Sequence, residues 1–196
     1  MLIDSHCHLH DREFFTEEQA EAMLKRAHKK NVKKIICIGT DPDDSLAARD
    51  FAMAHDDVYW TYGIHPENAN NLRGDASLKT GLKFLEMSYA GHPAEPLAAQ
   101  TNLSVASGIC IPKNSNHFMS SKKQPTIKPI AIGEVGLDYH YEGYSREAQI
   151  KLFEEMLQLA KDNDLPVSFH IREAFDDFFA VVKKFPEVRG VVHRTN

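Results

Sequence analysis

Short apolar runs that favour β-strands alternate along the chain with segments of helical periodicity, and this alternation constrains the fold more than any other feature. The β-type runs cover residues 2–8, 34–39, 58–64, 128–135, 166–171 and 190–193. A strand, a helix and a further strand form the unit from which parallel sheets are built. The sequence therefore predicts an α/β fold with about six parallel strands.

Three of the intervening segments carry helix-start signals. Thr16 and Gln19 have the spacing of a capping box, Asp41 precedes a proline at the first helical position, and Ser145 opens the third segment. In the fourth segment, apolar residues recur at the spacing of a buried helix face, which predicts core packing for Phe175, Phe178, Phe179 and Val182.

The spacing between the third and fourth predicted strands is anomalous. Their first residues, Val58 and Lys128, are 70 residues apart, whereas a strand–helix–strand unit takes roughly 30 or more. We expect residues 77–89 to form the helix of this unit. The segment from about residue 90 to residue 128 is rich in Ser, Pro, Asn and Gly, and we expect it to be a loop insertion. The whole of 1–196 is predicted to form a single domain.

Composition excludes several classes of protein. With 23 basic and 28 acidic residues, the chain has a net charge of −5. It therefore lacks the basic surface of a non-specific nucleic-acid binder, and any DNA contact must be local. No apolar run approaches the roughly 20 residues of a membrane span, and no signal peptide is predicted at the N-terminus. Three cysteines without C-x-x-C spacing favour a cytoplasmic protein without a disulfide framework.

Two histidines lie at the end of the first predicted strand. His6 and His8 are two residues apart and share one face of the strand, while Cys7 faces the opposite side. A single strand histidine is more often a packing residue, but two at this position favour a metal site with neutral imidazole ligands. Cys7 is predicted to be a small buried residue.

The same placement recurs at the ends of later strands. In a parallel barrel these ends surround one axis, so distant residues become neighbours. Histidine and glutamate suit Zn²⁺, Mn²⁺ or Mg²⁺, and two such ions can clamp a phosphate and activate water. Glu134 would be costly to bury in its apolar strand without a cation, and it could bridge two ions. The recurring positions are His65, Glu134, His170 and His193. The remaining histidines are predicted to be solvated, namely His10, His28, His55, His92, His117 and His140.

Four segments occur in the order found in one known family. They are Ser-His-Cys-His-Leu at 5–9, Gly-Ile-His-Pro at 63–66, Ala-Ile-Gly-Glu-Val-Gly-Leu-Asp-Tyr at 131–139 and Pro-Val-Ser-Phe-His-Ile-Arg at 166–172. Together they resemble the TatD family of metal-dependent deoxyribonucleases, a branch of the amidohydrolase-like barrels. The resemblance implies a (β/α)8 TIM-type barrel that holds two divalent ions, Mg, Mn or Zn.

The resemblance also implies roles for individual residues. His6, His8 and Glu134 would hold the first ion, and Glu134, His170 and His193 the second, with Glu134 also counted as catalytic. His65 and Arg172 would contact phosphate oxygens of a DNA substrate, a single strand or an end. Two alternatives stay open: Arg172 could pair with Asp176 one helical turn later, and His65 could cap the turn beside Pro66.

The sequence departs from the family pattern near the phosphate position and at its end. Glu67 stands where a second histidine commonly follows His-Pro, which adds negative charge there. The chain ends at Asn196, after the sixth predicted strand. We therefore expect an incomplete, C-terminally truncated barrel without units seven and eight. The aspartate that the family carries on strand eight would then be missing, and the chain would retain both ions or only one.

Three functions follow as hypotheses. The first is metal-dependent hydrolysis of DNA phosphodiester bonds by an activated water, of the nuclease or exonuclease type. The second keeps the metal site but cleaves a small ester, amide or aminoacyl bond, because a fold does not determine its substrate. The third is an inactive truncated product. The oligomeric state is left open.

Overall fold

Six parallel strands follow one another around a nearly closed barrel. In the computed structural model, which describes residues 1–70 and 128–193, the strand order is β1-β2-β3-β4-β5-β6 and each neighbouring pair is parallel. The predicted fold class is confirmed. The predicted helix at 77–89 and nearly all of the predicted insertion lie outside the described residues. The strands are β1 (Leu2–Cys7), β2 (Val32–Cys37), β3 (Val58–Tyr62), β4 (Ala131–Asp138), β5 (Val167–Arg172) and β6 (Gly190–His193).

Helices alternate with these strands and begin where the sequence predicts. Thr16 and Gln19 form the predicted capping box, the Asp41 side chain accepts from the backbone of the following helix, and Ser145 caps the third helix in the same way. None of the helices in the described ranges has the length and apolarity to cross a membrane. The described helices are α1 (Glu17–Lys29), α2 (Pro42–Met53), α3 (Arg146–Asp162) and α4 (Phe175–Val182), with a 3-10 helix at Pro66–Asn70.

The predicted buried face of α4 is only partly correct. Phe178 is buried, and its ring contacts those of Phe153 and Phe169 at 5.6 and 5.2 Å between centroids. Phe175 and Phe179 are instead 44% and 55% exposed. This helix has only eight residues, and the core covers one side of it. Phe175 and Phe179 lie one turn apart on its other side.

The alternation of side chains along β1 is as predicted. Cys7 points into the layer between strands and helices, where its Sγ lies 3.9 Å from Sγ of Cys37 on β2. His6 and His8 face the other way, with 5.2 Å between their ring centroids. Because side chains alternate along a strand, the half-buried Cys7 packs against the core while His6 and His8 supply polar groups to the barrel end.

The described sheet has two open edges that approach each other at one end. Leu2 and Ile3 on β1 and Val191 and Val192 on β6 are about half exposed. At the carboxyl ends of the same strands, however, the ring of His6 on β1 is stacked on the ring of His193 on β6.

Candidate metal centre

The five predicted ligands and His65, the predicted phosphate contact, all lie at the carboxyl end of the barrel. The residues come from β1, β4, β5 and β6 and from the turns that follow β1 and β3. Their convergence follows from the parallel strand order, which places every strand end at the same rim. These residues are His6, His8, His65, Glu134, His170 and His193.

Glu134 lies at the centre of this group and is only 4% exposed. Its Oε1 lies 2.9 Å from Nδ1 of His170, and its Oε2 lies 3.4 Å from Nε2 of His6. Burial alone would raise the pKa of Glu134, but the contacts with His170 and His6 outweigh burial and lower it. The carboxylate is therefore negatively charged at neutral pH, with one oxygen facing each histidine.

Backbone contacts hold Glu134 in this position. Its N–H donates to the carbonyl of Gly39, at 2.7 Å. Gly63, at the end of β3, packs so closely that a Cβ atom there would lie 2.2 Å from the carbonyl carbon of Gly133. Only glycine fits at Gly63, and this close approach brings the chain after β3 against the ligand-bearing part of β4.

His170 is held by carboxylates on both of its ring nitrogens. Nδ1 contacts Glu134 and Nε2 lies 2.9 Å from Oδ2 of Asp138. Burial opposes protonation of His170, but hydrogen bonds to Glu134 and Asp138 outweigh it and raise the pKa of the imidazole. The partner at Nε2 fixes the ring orientation, as carboxylates commonly do for metal-binding histidines.

Asp138 contacts a candidate ligand, although the sequence pattern did not single it out. It is 3% exposed, and its backbone N–H donates to Oε1 of Gln149 at 2.8 Å. A usable signal was present, because Asp138 follows Glu134 by four residues in β4 and an even spacing places both on one face of a strand.

Two groups of possible ligands share Glu134. One is His6, Glu134 and His193, the other is His65, Glu134 and His170, and within each group the ligand atoms lie within 4.8 Å of one another. His8 instead falls in a third group with His10 and Asp44. Which histidine holds which ion stays a prediction.

The donor chemistry of these groups fits divalent metals. Imidazole and carboxylate suit Zn²⁺, Mn²⁺ and Mg²⁺ to different degrees. In addition, Nδ1 of His6 is buried and has no hydrogen-bond partner among the described residues. Burial of His8 lowers its pKa, and the nearby His6 adds to the shift, so His8 is neutral as a ligand must be.

His10 contradicts its predicted solvation. It is 1% exposed, and its Nε2 lies 2.9 Å from Oδ1 of Asp44. The other oxygen of Asp44 accepts from both the N–H and the hydroxyl of Thr40, at 2.8 Å each. The pair joins the loop after β1 to the start of α2, and this contact buries His10.

The other surface predictions for histidine have mixed outcomes. His140 is exposed as predicted and contacts Glu173 at 2.8 Å. His55 is half-buried and contacts Glu21 and the carbonyl of Phe51, so free solvation is wrong for it. His28 is likewise half-buried and is paired with Asp57. His92 and His117 lie outside the described residues.

His65 forms the turn contact that was one of its two open alternatives. Its Nδ1 accepts from the backbone N–H of Glu67 at 3.4 Å, while its ring meets that of His170 at 4.3 Å between centroids. Burial lowers the pKa of His65 to about 4, and the neighbouring His170 adds to this, so the imidazole is neutral. The contact with phosphate stays a prediction.

Arg172 projects over an aromatic ring. Its guanidinium carbon lies 5.0 Å from the ring centroid of Tyr141. Within the described ranges this ring, and not the carboxylate of Asp176, is its contact, and Asp176 is exposed. Arg172 therefore remains available to an anion at the rim, and its contact with phosphate also stays a prediction.

A buried carboxylate between histidine groups, at the carboxyl end of a parallel barrel, is typical of metal-dependent hydrolases built on this fold. Residues 3–196 match the family model described as TatD related DNase. The chain belongs to the TatD related DNase family.

Several known proteins are similar to this chain. The "uncharacterized metal-dependent hydrolase YabD" of Bacillus subtilis is 27% identical over 98% of the chain and 60% of its own length. "Deoxyribonuclease Tat-D" of Saccharomyces cerevisiae is 31% identical over 83% of the chain and 42% of its own length. The crystal structure of YJJV, a TatD homologue from Escherichia coli, superposes with a TM-score of 0.69 at 27% identity, covering 98% of this chain and 59% of that one. The chain thus spans about 60% of the length of the curated relative YabD.

Proposed function

We propose that this chain hydrolyses phosphodiester bonds of DNA with two divalent ions held around Glu134. The observation that carries the proposal is the position of that carboxylate, whose two oxygens face histidines of different strands at 2.9 and 3.4 Å. The name of the yeast relative, a deoxyribonuclease, supports DNA as the substrate class.

The proposed ligands are the five residues that the family resemblance implies, His6, His8, Glu134, His170 and His193. When bound, such ions polarise a phosphoryl group and lower the pKa of a coordinated water towards neutrality. Glu134 would supply negative charge to both ions, and Asp138 keeps the His170 ring in place by its contact with Nε2 of that ring.

Two further side chains would bind the substrate. His65 is neutral and accepts at Nδ1, which leaves its Nε2–H to donate to a phosphate oxygen. Arg172 offers a guanidinium at the rim, where it could make charge-assisted hydrogen bonds to the same phosphate. The proposed form of the DNA is a single strand or a strand end. The proposed location of the protein is the reducing cytosol, because the cysteine spacing does not favour disulfides.

The test is release of nucleotides from single-stranded DNA in the presence of Mn²⁺ or Mg²⁺. We expect metal-dependent release by the wild type, none by Glu134→Ala, and wild-type rates for Glu155→Gln, a surface variant on α3. Metal-dependent cleavage of p-nitrophenyl acetate without any cleavage of DNA would instead support the small-ester hypothesis. No turnover of either compound by folded, metal-loaded protein would support the inactive product.

A further inference from the structure

A cavity of about 450 Å³ adjoins the metal centre on one side. It lies between the 3-10 helix and the loop from β4 to α3, and Asp138 forms part of its wall. Asp138 contacts His170, and His170 contacts Glu134, so two side chains separate the cavity from Glu134. A molecule held at the metal centre could therefore extend into the cavity.

Two tyrosines present aromatic surface to this cavity. Tyr141 and Tyr144 both line it and are 54% and 40% exposed. The ring of Tyr144 stacks on Tyr139, with 4.7 Å between centroids and 7° between planes, which fixes its orientation. Gly143, between them, has a φ of +86°, a left-handed conformation that favours glycine. Rigid exposed rings of this kind are suited to stacking against flat ligands.

The charged groups of the cavity are all hydrogen-bond acceptors. Glu67 and Glu142 contribute exposed carboxylates, and Asp138 contributes a buried one. Among the described residues that line it there is no lysine or arginine. A phosphate would therefore be repelled, and a favoured ligand must supply N–H donors. The guanidinium of Arg172 lies outside the lining, over the Tyr141 ring.

We propose that this cavity binds a nucleobase of the DNA strand undergoing hydrolysis and favours the bases with an exocyclic amino group, which are cytosine, adenine and guanine, over thymine. The base stacks on Tyr144, and its amino group donates to Glu67 or Glu142, the type of contact by which carboxylates recognise cytosine. The acidic lining keeps the phosphates out of the cavity, on the side of Arg172 and the metal centre. This inference rests on the proposed function and adds a base preference to it.

Free nucleosides test the cavity without phosphate, metal or turnover. Saturation-transfer NMR titrations of the full chain in EDTA would compare deoxycytidine, deoxyadenosine and thymidine. We expect both amino-bearing nucleosides to bind about fivefold more tightly than thymidine, the effect of one additional hydrogen bond. Tyr144→Ala should weaken binding of all three by about tenfold, and Tyr144→Phe should preserve it, because only the ring is needed for stacking.

Matched variants separate the two kinds of contact. Glu67→Gln combined with Glu142→Gln removes the two exposed charges of the cavity and should reduce the preference over thymidine while the stacking contribution remains. Phe179→Ala removes an exposed ring on α4, away from the cavity, and should leave all three affinities unchanged.

Three outcomes would overturn the inference. They are equal binding of the three nucleosides, unchanged binding by Tyr144→Ala, and displacement of deoxycytidine by n-butylamine at lower concentrations than by deoxyadenosine. The last outcome would show a site for cationic amines. Failure of DNA hydrolysis itself appears separately in the nucleotide-release assay, because nucleoside binding requires neither metal nor a scissile bond.

Discussion

The rings of His6 and His193 are stacked, with 3.7 Å between their centroids and 12° between their planes. These residues lie on β1 and β6, the two edge strands of the described sheet. Burial lowers the pKa of His193, and the neighbouring His6 adds to that effect. The neutral imidazole of His193 and the ring of His6 therefore flank Glu134 together. Their contact closes the barrel end with side chains between the two edge strands of the described sheet.

The family resemblance implies separate ions for His6 and His193, but their stacking and their shared contact with Glu134 favour a single ion. We therefore predict that the two residues act as one unit in metal binding. Either alanine substitution should weaken Mn²⁺ binding by at least about tenfold, as losses around metal sites commonly do. The double variant should bind little more weakly than the single ones, because a lost ion cannot be lost twice. Calorimetric titration of the four proteins measures this. Fully additive losses would show that the two residues serve different ions.

Asp138 should support metal binding without being a ligand. Asp138→Asn removes the negative charge at Nε2 of His170, and we expect about a 10- to 100-fold loss of Mn²⁺ affinity. Asp162→Asn, on the surface end of α3, is the control for carboxylate removal. Unchanged affinity in a folded Asp138→Asn protein would assign Asp138 a purely structural role.

The buried His10–Asp44 pair should contribute to folding stability. His10→Ala leaves one oxygen of Asp44 without its buried partner, and we expect the free energy of unfolding to fall by about 1–3 kcal/mol. His140→Ala, at an exposed histidine with one surface contact, should change it by less than about 0.5 kcal/mol. Urea unfolding in EDTA compares them. Equal effects would mean that burial of His10 contributes nothing specific.

The depressed pKa of His65 predicts a pH dependence for the metal-free protein. Because the folded pKa of about 4 lies below the ordinary value of 6.5, the unfolded chain binds more protons between these values. Stability should therefore fall as the pH falls from 6.5 towards 4. We expect the wild type to lose about 1–2 kcal/mol more than His65→Gln between pH 7 and pH 5. Identical losses in the two proteins would show that His65 is not buried as described.

The positions of the candidate ligands were predictable because they follow two simple geometric rules. Alternation along β1 separated His6 and His8 from Cys7, and the parallel strand order brought the ends of distant strands to one rim. The same rules would have included Asp138, since it shares a strand face with Glu134. Helix starts were equally predictable, because a cap such as Thr16 is read from its immediate neighbours.

The groupings could not be read from the sequence because they depend on how the barrel curves. His6 meets His193 only through the approach of β1 to β6, and local patterns contain no information on that approach. His10 appeared to belong to a solvated loop because its partner, Asp44, lies 34 residues further along the chain. Likewise, the spacing in α4 identified an apolar helix but not which side the core covers.

The central claim, that Glu134 is shared by two ion positions, is tested most directly by counting metal ions. Elemental analysis after loading with Mn²⁺ and desalting would compare wild type, Glu134→Ala and the surface control Glu155→Gln. We predict two ions per chain in the wild type and in the control. In Glu134→Ala we predict at most a trace of metal. An unchanged metal content in Glu134→Ala, with the protein still folded, would contradict the claim.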